Sequence, residues 1–193
     1  MKNACLIVFS LLLIILTSCK EYNKSIYEGC CGTESITDSI PMTVKLWNDQ
    51  GLLVDSHVVA SVSIPNVFTP DSVYYEDHIF LMCGIYVVKV VTAKYTSESG
   101  ETLFENGNFQ VYDTGPAWHG QKPNGEYYYG SFDYEITLEF WNGTLKTYTG
   151  RACSFKCGAE GFPTEKLPNC FFPSQNDGFG GIDTSRPYPI ECF

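Results

Sequence analysis

Positive charge is scarce in this chain. Twelve lysines and arginines face 22 aspartates and glutamates, for a formal net charge of −10 at neutral pH. No cluster of cations interleaves with aromatics, and an acidic surface repels phosphate backbones, which argues against nucleic acid as a partner. Histidine is scarcer still, limited to His57, His78 and His119. None belongs to a His-Glu-x-x-His pair, and no serine sits in a Gly-x-Ser-x-Gly elbow, so the sequence signs of a zinc peptidase or an α/β-hydrolase are missing. His119, between Trp118 and Gly120, reads as a turn residue. Glu135 and Glu139 share one strand face, but that face is wet and a lysine opposes one of them, unlike the converging acids of a glycosidase cleft. The expectation is a protein that is not an enzyme and that carries no cofactor.

Long apolar runs are missing too. Ala4–Leu16 is too short to span a bilayer comfortably, and with Lys2 before it the segment fits a secretory leader. Leu16-Thr17-Ser18-Cys19 then reads as a lipobox. The expectation is a lipoprotein signal peptide over 1–18 and lipidation at Cys19. Palmitate-type acyl chains there would hold the mature protein on a membrane without a transmembrane helix. The expected location is the cell envelope, as an outer membrane lipoprotein or at the cell surface.

Cysteine usage fits an oxidising compartment. Beyond Cys5 and Cys19 stand Cys30, Cys31, Cys83, Cys153, Cys157, Cys170 and Cys192, an odd number. The default reading is three disulfides of unspecified pairing and one free thiol, with Cys83 in its apolar run as the free one. A zinc site from Cys30, Cys31, Cys153 and Cys157 has no paired Cys-x-x-Cys spacing behind it, so no metal is expected there.

Residues 19–41 read as a polar leash, partly tied down by Cys30 and Cys31. A sandwich domain is expected over 42–155, opening with a hairpin in which Val44, Leu46, Leu52 and Val54 flank the turn Asn48-Asp49-Gln50-Gly51. Val58, Ala60, Val62 and Ile64 alternate as a half-buried strand, and Val87–Val91 reads as a nearly continuous buried one. From Tyr128 to Phe140 one face is Tyr128, Gly130, Phe132, Tyr134, Ile136, Leu138 and Phe140, and the other is mostly polar. Asn142-Gly143 suggests a two-residue hairpin loop that pairs Phe140 with Leu145 and Glu139 with Lys146. The fold class that follows is all-β, an Ig-like antiparallel sandwich of about seven strands. Residues 156–193, rich in Pro, Gly and Asn, read as a cysteine-pinned irregular extension.

One frame occurs twice: Ile64-Pro65-Asn66-Val67-Phe68-Thr69-Pro70 and Leu167-Pro168-Asn169-Cys170-Phe171-Phe172-Pro173. The prolines force extended backbone, so Ile64 and Phe68 can plug a sheet while Asn66 bonds turn backbone. The first copy, followed by Trp118-His119-Gly120 and Pro123-Asn124-Gly125-Glu126-Tyr127-Tyr128-Tyr129, resembles the gliding motility-associated C-terminal domain. That is the type B sorting domain of bacteria with type 9 secretion, and the resemblance covers 64–155. Its motif residues fall on Ile64, Pro65, Asn66, Phe68, Pro70, Trp118, Gly120, Pro123, Gly125, Tyr127 and Tyr129. The resemblance implies docking onto envelope secretion or gliding machinery, or display at the cell surface, through the proline frame, a free sheet edge or the Trp-Gly/Pro-Gly loop. Sorting domains end their chains, whereas residues 156–193 follow here, so a borrowed scaffold and an export address both stay open.

The rival reading is a ligand-binding lipoprotein that holds a glycan on an aromatic face of Trp118, Tyr127 and Tyr129. The family's Asn-Gly-Asp-Gly loop is replaced by Asp71–His78, without its glycines. A calcium site is a weak candidate at Asp177, in Asn176-Asp177-Gly178, with Asp183 beyond. Asp38-Ser39-Ile40 and Asp71-Ser72-Val73 are similar to a bacterial O-glycosylation triplet.

Overall fold

The computed structural model describes residues 27, 29–31, 36–72, 75–158 and 169–186. The leader, Cys19 and Cys192 lie outside the described residues. Among the described residues eight strands are formed: β1 (Ile36–Trp47), β2 (Leu53–Ile64), β3 (Val67–Phe68), β4 (Cys83–Ile85), β5 (Val87–Ser97), β6 (Thr102–Asn106), β7 (Gly130–Phe140) and β8 (Leu145–Ser154). They make a three-stranded sheet, β1-β2-β4, and a five-stranded sheet, β3-β8-β7-β5-β6. All ladders are antiparallel except the short β3–β8 pairing. The expected β-sandwich is what the chain forms.

Alternation builds the core. Ala60, Val62 and Ile64 of β2 face Val90, Ala93 and Tyr95 of β5 and Phe132, Tyr134, Ile136, Leu138 and Phe140 of β7 across one buried cluster. The face expected to be buried in β7 is buried, and Asp133 and Glu135 opposite it are exposed. Full burial of one such aromatic or aliphatic side chain stabilises by about 1.5–3 kcal/mol, so the two inner faces dominate the fold.

Three details depart from expectation. β1 begins at Ile36, six residues before the expected hairpin, and runs through Pro41. Proline normally marks the end of a strand, but β1 is a sheet edge, where a missing N–H need not break a ladder bond. Second, β5 is not continuously buried: Val88 is 42% exposed, and the ladder to β7 is irregular between Val87 and Lys89 and between Val90 and Thr92. One face of β5 looks into solvent, so only alternate residues reach the core.

Third, the β7–β8 register is one residue away from the expected one. Glu139 lies opposite Leu145 and Leu138 opposite Lys146. The loop has three residues: Gly143 N–H donates to the Phe140 carbonyl at 2.8 Å and Phe140 N–H to the Thr144 carbonyl at 2.9 Å. Gly143 takes the left-handed turn position at φ 79°, while Asn142 does not. A one-residue slip turns each side chain of the incoming strand end to the other face. Leu145 is therefore 59% exposed, Glu139 pairs with Lys89 at 3.5 Å, and Lys146 reaches Asp38 on β1.

Candidate functional site

The repeated frame is the centre of the molecule's more elaborate end. Residues 62–70 are all buried. Ile64 and Phe68 point into the main core. Val67, on the other side of β3, enters a second small core with Tyr27, Cys31, Cys153, Phe155, Cys170 and Phe172. Asn66 sits between them and is 2% exposed. Its amide donates to the Asn169 carbonyl at 2.6 Å and its side-chain carbonyl accepts from Phe171 N–H at 2.9 Å. Its backbone N–H donates to the Phe171 carbonyl at 3.2 Å, and its own carbonyl accepts from Cys153 N–H at 2.8 Å. The asparagine of the first frame thus grips Asn169 and Phe171 of the second, and Val67 N–H of β3 also donates to the Phe171 carbonyl. The frame was a candidate docking feature. In the folded chain its own extension covers it.

Further along, Ser174 N–H donates to Asp77 Oδ1 at 3.1 Å and Ser63 Oγ donates to Asn176 Oδ1 at 3.0 Å. Ser61 Oγ donates to the Phe179 carbonyl. The segment from Asn169 to Phe179 therefore closes over the outer face of β2 where Ser61 and Ser63 point outward. Two disulfides lock this arrangement: Cys30–Cys153 and Cys31–Cys170. Cys157 is also disulfide-bonded, to a partner outside the described residues. Cys83 is the free cysteine among the described residues, buried and 3.4 Å from the Tyr112 hydroxyl. With Cys30, Cys31, Cys153 and Cys157 all in disulfides, the four-thiolate zinc arrangement does not exist.

Trp118 and Gly120 pack on the frame from the other side. The Trp118 ring lies 5.3 Å from Phe68, 5.4 Å from Tyr95 and 5.0 Å from Phe132, centroid to centroid, and is 3% exposed. Its Nε1–H donates to the Gln121 carbonyl at 2.7 Å. Gly120, at φ 78°, lies so close to Pro70 that a Cβ would come within 2.5 Å of it. Pro123 and Gly125 occupy the tip of the next turn, closed by Gly125 N–H to the Lys122 carbonyl at 2.9 Å.

The aromatic face loses Trp118 on this geometry, because an apolar ring surrounded by Phe68, Tyr95 and Phe132 is core rather than platform. Tyr127 and Tyr129 remain outside, 6.3 Å apart with rings inclined at 44°. Tyr127 is 43% exposed. Tyr129 is half-buried, donates to Asp71 Oδ2 at 3.2 Å and has Lys156 Nζ 5.9 Å from its ring. Burial and the Asp71 charge push the Tyr129 hydroxyl pKa well above its ordinary value.

The remaining candidates separate cleanly. Asp177 Oδ1 accepts from the N–H groups of Phe179 and Gly181, and Asp183 Oδ1 from Ser185 N–H and hydroxyl. Each aspartate thus organises its own turn, and no cluster of three metal-ligating side chains occurs among the described residues. His57 bonds Thr43 Oγ1 at 3.1 Å and His119 the Thr114 carbonyl at 2.9 Å. Of the two triplet serines, Ser72 is 3% exposed and Ser39 is exposed.

A second region was not singled out from sequence. Of the eleven large exposed apolar side chains among the described residues, seven lie at the opposite end of the sandwich, Trp47, Leu52, Leu53, Val54, Val88, Trp141 and Leu145, and an eighth, Val59, lies halfway along β2. A shallow recess of about 590 Å³ lined by Thr43, Lys45, Val88 and Trp141 joins the β1–β2 hairpin to the β7–β8 turn. Trp141 is held there by its N–H to the Tyr86 carbonyl at 3.0 Å and by edge contact with the Tyr86 ring at 5.2 Å. The signal was present in Trp47, Leu52 and Leu53, yet a hairpin tip of that composition reads equally as core.

No family model matches the chain, and neither a curated protein nor a solved structure does.

Proposed function

We propose that the chain is a lipid-anchored, non-catalytic protein of the cell envelope whose sandwich is a docking or display module. This is the role implied by the likeness to the gliding motility-associated C-terminal domain. The observation that carries the reading is the polarity of the fold. Cys30, eleven residues after Cys19, is bonded to Cys153, and Cys31 to Cys170, all at the frame end. A lipid on Cys19 therefore stays within about 40 Å of that end, since eleven extended residues reach no further. The apolar hairpin of β1 and β2, twelve residues per strand, projects about 40 Å the other way. Attachment at one end and bare apolar side chains at the other are what a presented binding surface requires.

Two measurements test it. Cys19→Ala releases the mature protein from membranes, and persistent membrane association overturns the anchor. An epitope placed in the Asn48–Gly51 turn is reached by antibody on intact cells. An epitope reached only after the outer membrane is opened overturns surface display.

The second reading, a glycan-binding lipoprotein, rests on the exposed Tyr127 beside Tyr129. Saturable binding on a glycan array that is lost in Tyr127→Ala supports it over docking.

A further inference from the structure

The outer face of the β1–β2 hairpin has a pattern that docking in general does not explain. Thr43, Lys45 and Trp47 point outward from β1 and Leu53, Asp55, His57 and Val59 from β2, all exposed. The register sets Trp47 opposite Leu53, Lys45 opposite Asp55 and Pro41 opposite Val59. Lys45 and Asp55 are of opposite sign, and neither is in an ion pair among the described residues. The segment over Ser61 and Ser63 stops short of this half of the face.

We propose that this face is an isologous interface between two copies of the chain. A two-fold axis lying in the interface, midway between β1 and β2, carries each strand of one copy over the other strand of its mate. Each Lys45 then meets the partner's Asp55, and each Trp47 the partner's Leu53. A row of unlike residues across one hairpin becomes complementary to itself, as closed symmetry demands. The two strand charges of each copy are matched by those of its mate, and Asp49 stays in the loop beyond the Trp47–Leu53 pair. An anionic lipid surface is a poorer occupant, because one lysine stands beside Asp49 and Asp55 and the chain as a whole is acidic. The apolar share of this face is Trp47, Leu53 and Val59, which leave on the order of 350 Å² in water, and with Thr43, Lys45, Asp55 and His57 beside them the patch has the size of a weak, reversible contact. The pairing depends on the fold alone and stands or falls separately from the lipid anchor.

Sedimentation equilibrium on the mature chain with Cys19→Ser, from about 1 to 300 μM, tests this across a range in which micromolar association is measurable. The expected result is a monomer–dimer equilibrium. Lys45→Glu weakens it at least about tenfold, which is about 1.4 kcal/mol. Lys45→Glu/Asp55→Lys restores it to within about threefold, and Trp47→Ser/Leu53→Ser abolishes it. These positions are exposed, and near-ultraviolet circular dichroism confirms that each variant is folded. A monomer at the highest concentration overturns the proposal, as does a dimer indifferent to Trp47→Ser/Leu53→Ser or a charge swap that fails to restore association.

Discussion

The two ends of the sandwich are built on opposite principles. At the frame end, residues 62–70 are buried, Asn66 makes bonds on both of its polar atoms, and two disulfides bind the chain's early and late segments to β8 and to each other. At the hairpin end, Trp47 is 74% exposed and the β1–β2 loop is held by local bonds, Gly51 N–H to Asn48 and Asn48 N–H to Leu52. One end uses long-range contacts to fix the chain, and the other leaves apolar surface unmatched. Substitutions should therefore cost stability at the first and association at the second. Three measurements sharpen or break that division.

The largest effect belongs to the disulfides, and it is not additive. Cys30 and Cys31 are neighbours, so once one bridge exists the other closes only the stretch between Cys153 and Cys170. In the chain-entropy account a loop of that size contributes about 3 kcal/mol, whereas the first bridge to form, across 123 or 139 residues, contributes about 5. Cys30→Ser/Cys153→Ser and Cys31→Ser/Cys170→Ser should each lower the unfolding free energy by about 3 kcal/mol, and the quadruple variant by about 8. Denaturant unfolding under non-reducing conditions measures all three. Equal and additive losses would mean that the two bridges hold separate parts of the chain, and the picture of one clamped end fails.

Much of this architecture was legible beforehand, and the failures share a cause. The alternation of Gly130–Phe140 identified a one-faced strand, because residues two apart must point the same way. The frame's burial followed from its prolines and from Ile64 and Phe68. What spacing could not supply was contact between distant segments. Asn66 was expected to bond turn backbone, and it does, but the backbone belongs to residues 169 and 171 of the second copy. Trp118 looked available for a ligand because its burial depends on Phe68, Tyr95 and Phe132, which come from three separate elements. The β7–β8 register failed in the same way. Asn-Gly serves a two-residue or a three-residue loop, and the choice fell to Trp141, whose N–H is bonded to Tyr86 fifty-five residues earlier in sequence.

Midway between the ends, a tie of intermediate strength joins the two sheets. Asp38 of β1 accepts from the Lys146 ammonium and, at 2.8 Å, from the Tyr148 hydroxyl of β8. The Lys146 bond holds the Asp38 pKa below its ordinary value, against an opposing effect of partial burial and with help from Tyr148. A depressed folded-state pKa stabilises above the unfolded aspartate pKa of about 3.9, and the gain disappears as pH falls through the folded value. Asp38→Asn should cost about 0.5–1 kcal/mol at pH 7, and the gap to the wild type should close below about pH 4. Thermal melts across pH 2.5–7 read it, and a gap that persists at the acid end would show that packing rather than charge holds β1 to β8.

The smallest expected change in stability is at Trp47. A serine there removes a large side chain that is already mostly in water, so the unfolding free energy should move by no more than about 0.5 kcal/mol. Phe68→Ala, at 0% exposure against Trp118 and Phe132, should cost about 3–5 kcal/mol by the same assay. The contrast is informative because both residues are large, aromatic and sited beside a sheet, and differ in whether the chain itself covers them. Dilute protein matters here, since a second copy covering Trp47 would stabilise the wild type by mass action and inflate the apparent cost of its loss. A Trp47→Ser penalty that grows with protein concentration therefore locates the missing cover in a neighbouring molecule. One that is large and constant at every concentration places Trp47 in the chain's own core and abolishes the difference between the ends.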